Sequence, residues 1–182
     1  AICRLAARGV PIVGICGGYQ MLGRSVSDPH GVEQGGTVEG VGLLPVDTVF
    51  EQEKTRTRAA GRVAQVGGRL ADLSGASVEG YEIHMGRTEG EAPCFARIGP
   101  EGGEAFPDGA WRENVYGTYL HGLFDSPEVA RALARALFAA KGLDEASLAV
   151  VDGGHKERQY DLLAEAGRDS LDMERGYRIL EE

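Results

Sequence analysis

A thiol stands at a sharp corner of this chain. Residues 11–25 read PIVGICGGYQMLGRS, with Cys16 between Gly14 and the pair Gly17-Gly18, where a β-branched apolar run stops and a helix-like run begins. The form G-x-C-x-G between a strand and a helix is the arrangement of a nucleophile elbow. A tight strand-to-helix turn holds its central residue in strained backbone geometry, and neighbours without side chains let the chain pass closely, so the thiol is pushed outward. The first N–H groups of the helix favour negative charge; they promote the thiolate and supply donors for an oxyanion. The chemistry available is covalent attack on a carbonyl carbon. The same residues also fit a buried structural thiol beside a glycine-rich turn, and only partners of Cys16 distinguish the two.

An attacking thiol needs a group that takes and returns a proton. The chain has four histidines. His30 lies in a turn-rich loop and His155 follows Gly153-Gly154, settings typical of solvated residues. His84 in YEIHMGR and His121 in GTYLHGLF are at or near the ends of β-rich runs, where α/β sheets gather functional residues. His84 fits equally a strand residue whose ring bonds a backbone carbonyl. His121 is followed by Gly122, which permits an unusual turn.

The elements that must hold these residues can be read along the chain. AICRLAARG starts without Met and places Ile2, Leu5 and Ala6 at helical spacing before Gly9, the pattern of a helix whose beginning is absent; a longer parent polypeptide is expected. VPIVGIC reads as a strand buried on both faces of a parallel sheet, and GYQMLGRSV as a short helix. Residues 27–42, dense in Gly and turn formers, read as a loop. LLPVDTVF and RVAQVGG read as two strands separated by the polar segment EQEKTRTRAAG; EGYEIHMGRT and CFARIG read as further strands, and PEGGEAFPDGAWREN as a loop or hairpin connection. After the β-rich NVYGTYLHGLF comes a helix, SPEVARALARALFAAKG, with Ser126 as N-cap, Pro127 first, Gly142 as its stop, and Val129, Leu133, Leu137 and Phe138 as an apolar stripe. KERQYDLLAEAGRDSLDMERGYRILEE reads as one or two amphipathic helices. The expected fold is α/β, a mostly parallel central sheet flanked by helices, in one domain spanning residues 1–182.

Bulk properties narrow the partners. The 182 residues carry a formal charge of −9, which offers no footprint for nucleic acid or for an anionic membrane, so neither is expected as a partner. Cys3, Cys16 and Cys94 form no C-x-x-C pair, which suits reduced thiols in a cytoplasmic protein and gives no reason to expect a metal site. No apolar run approaches the ~18 residues of a membrane span, and the first residues lack the apolar region of a signal peptide. No G-x-x-x-x-G-K-[ST] phosphate loop occurs.

Three motifs, GICGGYQMLG, GYEIHMGRT and YGTYLHGLFDSPEVAR, follow one another in an order that resembles the class I glutamine amidotransferases, and within them the glutaminase domains of cobyric acid synthases. The tail LLAEAGRDSLDMERGY resembles that family's final helix, so the likeness covers nearly the whole chain. The resemblance implies Cys16 as nucleophile and His121 as general acid/base. It implies Gln20 in contact with the substrate glutamine, the Gly17 N–H as an oxyanion donor, and His84 and Arg87 lining the site. It implies no cofactor in this domain. ATP and Mg2+ would act in a synthetase domain of the same polypeptide, which amidates side-chain carboxylates of a corrinoid, cobyrinic acid diamide, in cobalamin synthesis. Sister families are cobyrinic acid a,c-diamide synthase and the glutaminase subunit that amidates a cell-wall lipid; a catalytically silent, organising domain is a reading of another class. Most class I amidotransferases carry Glu two residues after the catalytic His, whereas this chain has Leu123. A Cys-His dyad is therefore expected, with His121 oriented by a backbone carbonyl or another carboxylate, Asp125 and Glu82 being candidates. The Gly-rich loop that supplies a second oxyanion donor in such domains does not precede Cys16, which again suggests a longer parent chain.

Overall fold

A short helix, α1 (Ile2–Ala6), leads through Gly9 (φ 73°) into the first strand, β1 (Ile12–Ile15), and the elbow then opens helix α2 (Gly17–Leu22). The structure, a computed structural model, describes residues 1–144 and 155–181 and divides into two units, Ala1–Leu148 and Ala149–Glu182. The first unit continues with β2 (Ser25–Asp28), β3 (Gly36–Glu39), β4 (Val46–Val63), a 3-10 turn at Gly68–Leu73, β5 (Ser77–Gly90), β6 (Ala96–Gly99), β7 (Phe106–Asp108), β8 (Ala110–Arg112) and β9 (Val115–Thr118). A 3-10 turn, Leu123–Asp125, then precedes α3 (Pro127–Lys141). The second unit holds α4 (His155–Ser170) and α5 (Met173–Glu181), the tail helices expected from the sequence, with Asp172 accepting from the Arg175 N–H at the start of α5.

The strands form two sheets. One has the order β1-β9-β8; the other runs β3-β2-β4-β6-β7, with β5 also paired to β4. The α/β class is as expected, but the mostly parallel sheet is corrected: among the described residues only β1 with β9 and β2 with β4 pair in parallel, and the other ladders are antiparallel. The connections explain this. Parallel neighbours need a crossover of about a dozen residues or more, whereas β8 returns into its neighbour β9 through Glu113 and Asn114 alone.

Two further segments differ from their sequence reading. The expected loop at 27–42 contains the β2–β3 pair, closed by the Asp28 carboxylate, which accepts the N–H groups of Val32, Glu33 and Gly35. The polar segment 51–61 is no break between strands: β4 runs unbroken for 18 residues along β5, with one irregularity between Phe50 and Thr55. Residues 51–56 are exposed on both faces, so the alternation that betrays a half-buried strand is missing there.

Two apolar clusters hold the first unit. One joins Leu70, Phe95, Tyr116, Leu120, Leu123 and Val129 among others; the second packs Tyr19, Leu22, Leu44 and Val46 against Val115 and Tyr119. Helix α3 docks as its caps predict: Ser126 Oγ accepts the Val129 N–H, and Gly142 ends the helix at φ 65°. Its packed face is narrower than the expected stripe. Val129, Ala132, Leu133 and Ala136 meet the core, while Leu137 stays 49% exposed.

Candidate active site

The elbow is built as its composition demands. Cys16 sits at φ 53°, ψ −115°, a conformation that costs a side-chain-bearing residue on the order of 1–3 kcal/mol. Backbone bonds hold it there: its N–H donates to the Thr118 carbonyl (2.9 Å), and its carbonyl accepts the Gln20 N–H (3.1 Å). Gly14 is required beneath the turn, since a Cβ would lie 2.6 Å from Leu22 Cδ1 and 2.7 Å from the Gly18 carbonyl. Opposite it in the parallel register, a Cβ on Gly117 would strike the Tyr19 ring at 2.0 Å. These two glycines let α2 lie close over β1 and β9. Gly17 and Gly18 differ, for a Cβ on either meets nothing within 4 Å. The first N–H groups of α2 have no acceptor within the helix.

Strand β5 bonds both the thiol and the His121 backbone at neighbouring positions. The Cys16 Sγ–H donates to the Ile83 carbonyl (3.4 Å). Two residues back, Tyr81 pairs with His121 through both main-chain bonds, Tyr81 N–H to His121 O at 3.2 Å and His121 N–H to Tyr81 O at 2.8 Å. The rings of these two residues stack, with centroids 4.8 Å apart and planes 2° apart. His121 Nε2 is buried and makes no hydrogen bond among the described residues. Gly122, at φ 86°, then turns the chain. Leu123 is 1% exposed and belongs to the core, so the position where the resembled class carries Glu faces the interior.

The backbone leading to His121 is tied to a carboxyl that no motif singled out. Asp108 is 6% exposed; it accepts the Thr118 hydroxyl on one oxygen and the Tyr119 N–H (3.0 Å) on the other, and Thr118 Oγ1 accepts the Leu120 N–H (3.0 Å). Burial pushes this carboxyl up to about 6, against the opposing pull of those hydrogen bonds. Its FPDG setting reads as an ordinary turn, and its partners lie ten residues on.

Gln20 is buried under the elbow, its amide nitrogen donating to the Tyr119 hydroxyl (3.3 Å), which also bonds Thr88 Oγ1 (2.6 Å). His84 Nδ1 lies 2.9 Å from the Gly86 carbonyl, the backbone-bonded arrangement that its sequence left open, and its ring stacks on Tyr119 at 3.8 Å. Glu82 is brought to His84, with Oε1 3.5 Å from Nε2, a separation at which no hydrogen bond forms. Asp125 lies in the turn after Gly122, its N–H bonded to the Gly122 carbonyl. Arg87 is exposed and paired with Glu51 and Glu89. His84 and Arg87 line a cavity of about 880 Å3 together with Glu82, Asp108 and Tyr119; Cys16 and His121 are not among its lining residues. His30 is exposed, and the side chain of His155 lies outside the described residues. Among the described residues no group of three or more His, Cys, Asp or Glu could hold a metal ion, and no helix is long and apolar enough to cross a membrane.

A family model described as the CobB/CobQ-like glutamine amidotransferase domain matches residues 1–129. A cobyric acid synthase of Ruminiclostridium cellulolyticum is 48% identical over 97% of this chain and 36% of its own length. One from Citrobacter koseri is 47% identical over 96% of this chain and 35% of its own. The chain therefore spans little more than a third of the length of these curated relatives. Among solved structures, a chain of PurLQS from Thermotoga maritima shares the fold, with a TM-score of 0.53 at 18% identity over 75% of this chain and 66% of that one.

Proposed function

This chain belongs to the CobB/CobQ-like glutamine amidotransferase family, and from that premise we propose that it hydrolyses glutamine through Cys16 and passes the ammonia to a synthetase region of its parent polypeptide. The observation that carries the reading is the convergence on β5: the thiol rests on the Ile83 carbonyl while His121 is paired two residues away with Tyr81. In the proposed reaction His121 takes the thiol proton and Cys16 Sγ bonds to the γ-carboxamide carbon. The tetrahedral oxyanion is met in this reading by the Gly17 N–H at the start of α2. The imidazolium returns its proton to the nitrogen as the C–N bond breaks and ammonia leaves. Water, deprotonated by the same imidazole, then splits the glutamyl thioester, releasing glutamate and restoring the thiol. Gln20 forms the floor of the glutamine subsite in this reading, and His84 and Arg87 line the cavity on the other side of Tyr119.

The ammonia acceptor is proposed from the relatives. They are cobyric acid synthases, so the acceptor is a corrinoid side-chain carboxylate, activated by ATP with Mg2+ in the synthetase region. The absence of a P-loop from residues 1–182 supports placing the ATP site outside them. The free thiols Cys3, Cys16 and Cys94 suit a cytoplasmic setting. The test is glutamate release by the complete parent chain against its Cys16→Ala variant. A fall of about 10³-fold or more is expected, while ammonium salts still support amidation in the variant. Equal glutamate release by both would overturn the assignment.

A further inference from the structure

We infer that Tyr81 is a positioning residue for His121: its ring face fixes the plane of the imidazole so that the buried Nε2 serves the Cys16 sulfur. The inference rests on the glutaminase reading above, in which His121 moves the protons. A general acid/base must be held in one orientation to be effective. In the resembled class a carboxylate two residues after the histidine is available for this, but here that position is Leu123, buried in the core. Tyr81 provides a different kind of hold. Its main chain exchanges two hydrogen bonds with His121, which fixes the His121 Cα relative to β5. Its ring then lies 2° from parallel to the imidazole at 4.8 Å, a contact that opposes rotation of the imidazole about its own χ2. When the imidazole takes up the thiol proton, the cation formed is attracted to the same aromatic face.

Two surrounding features show that the contact is specific. Gly80 is what lets the strands come so close, because a Cβ there would lie 1.8 Å from the His121 carbonyl oxygen. Tyr81 is 49% exposed, so it is a poor contributor to the core, yet its ring lies flat on that of His121. Ile83, two residues further along the same strand, offers its carbonyl to the Cys16 thiol. One stretch of β5 thus orients both members of the proposed dyad.

The experiment compares Tyr81→Leu and Tyr81→Phe in the complete parent chain. Phe keeps the aromatic face and should behave as wild type. Leu should lower kcat for glutamate release about 5- to 30-fold, with KM changed less than about twofold. A second readout needs no glutamine: the rate at which iodoacetamide alkylates Cys16, located by peptide mapping because Cys3 is also exposed. That rate reports the thiolate supported by His121, and it should fall in the Leu variant and not in the Phe variant. Full kcat in Tyr81→Leu, a rise in KM alone, or equal damage by Phe and Leu would each overturn the inference. If the wild-type chain releases no Cys16-dependent glutamate, the glutaminase reading fails, while the alkylation comparison still decides what Tyr81 does.

Discussion

Asp108 holds the backbone ahead of His121, and it does so with a carboxyl whose burial disfavours the charged form. Its displacement from 3.8 to about 6 corresponds to on the order of 3 kcal/mol. The sign follows from proton counting. Between those two pH values the folded chain binds more protons at this site than the unfolded chain, so unfolding becomes easier as pH rises. The contribution is fully present below pH 3.8 and lost as pH climbs through about 6. Urea unfolding of wild type and Asp108→Asn at pH 4, 5, 6 and 7 should show the wild type losing stability relative to the variant across that window. A constant difference between the two would mean that the carboxyl does not titrate there. Legibility differed sharply from residue to residue. Cys16 and His121 stood out as candidates because of the glycines beside them, and the resemblance of the three motifs then supplied their proposed roles. Asp108 and Tyr81 could not, because their significance comes from partners brought close only by the β8–β9 return and by the Tyr81–His121 bridge.

At the scale of elements, glycines decide how close the backbones come. Gly80→Ala introduces a methyl group into the His121 carbonyl, and β5 must separate from the His121 segment to admit it. The expected cost is about 1–3 kcal/mol, with a loss of glutamate release larger than the loss of folded protein, since the displaced residue is the proposed proton carrier. Thermal unfolding and kcat measured on the same preparation check this; a stability loss with kcat intact would show that the strand contact is only structural. The strand and helix of the elbow, β5 and the caps of α3 were all readable in the sequence. The directions of the strands were not: a buried apolar run looks the same in parallel and antiparallel ladders, and only the short Glu113-Asn114 link betrays the return of β8 into β9. The polar middle of β4 was missed for a related reason, since neither face of residues 51–56 is buried to impose alternation.

For the whole molecule, three ordered motifs spread over more than a hundred residues identified the family where the elbow alone left a structural thiol equally open. The matched model ends at residue 129, and the relatives extend well beyond this chain. The proposed division of labour, in which these residues generate ammonia and a synthetase region consumes it, is drawn from those relatives. One consequence of the elbow reaches beyond chemistry to the thermal tolerance of the fold. Position 16 holds a side chain at φ 53°, where glycine would rest without strain. Cys16→Gly should therefore raise the melting temperature by roughly 2–10 °C, the equivalent of about 1–3 kcal/mol in a chain of this size, and calorimetry of the variant would reveal it. Selection for heat resistance alone would discard the thiol, so under the proposed reaction position 16 gives up some thermal tolerance to place a nucleophile at the turn.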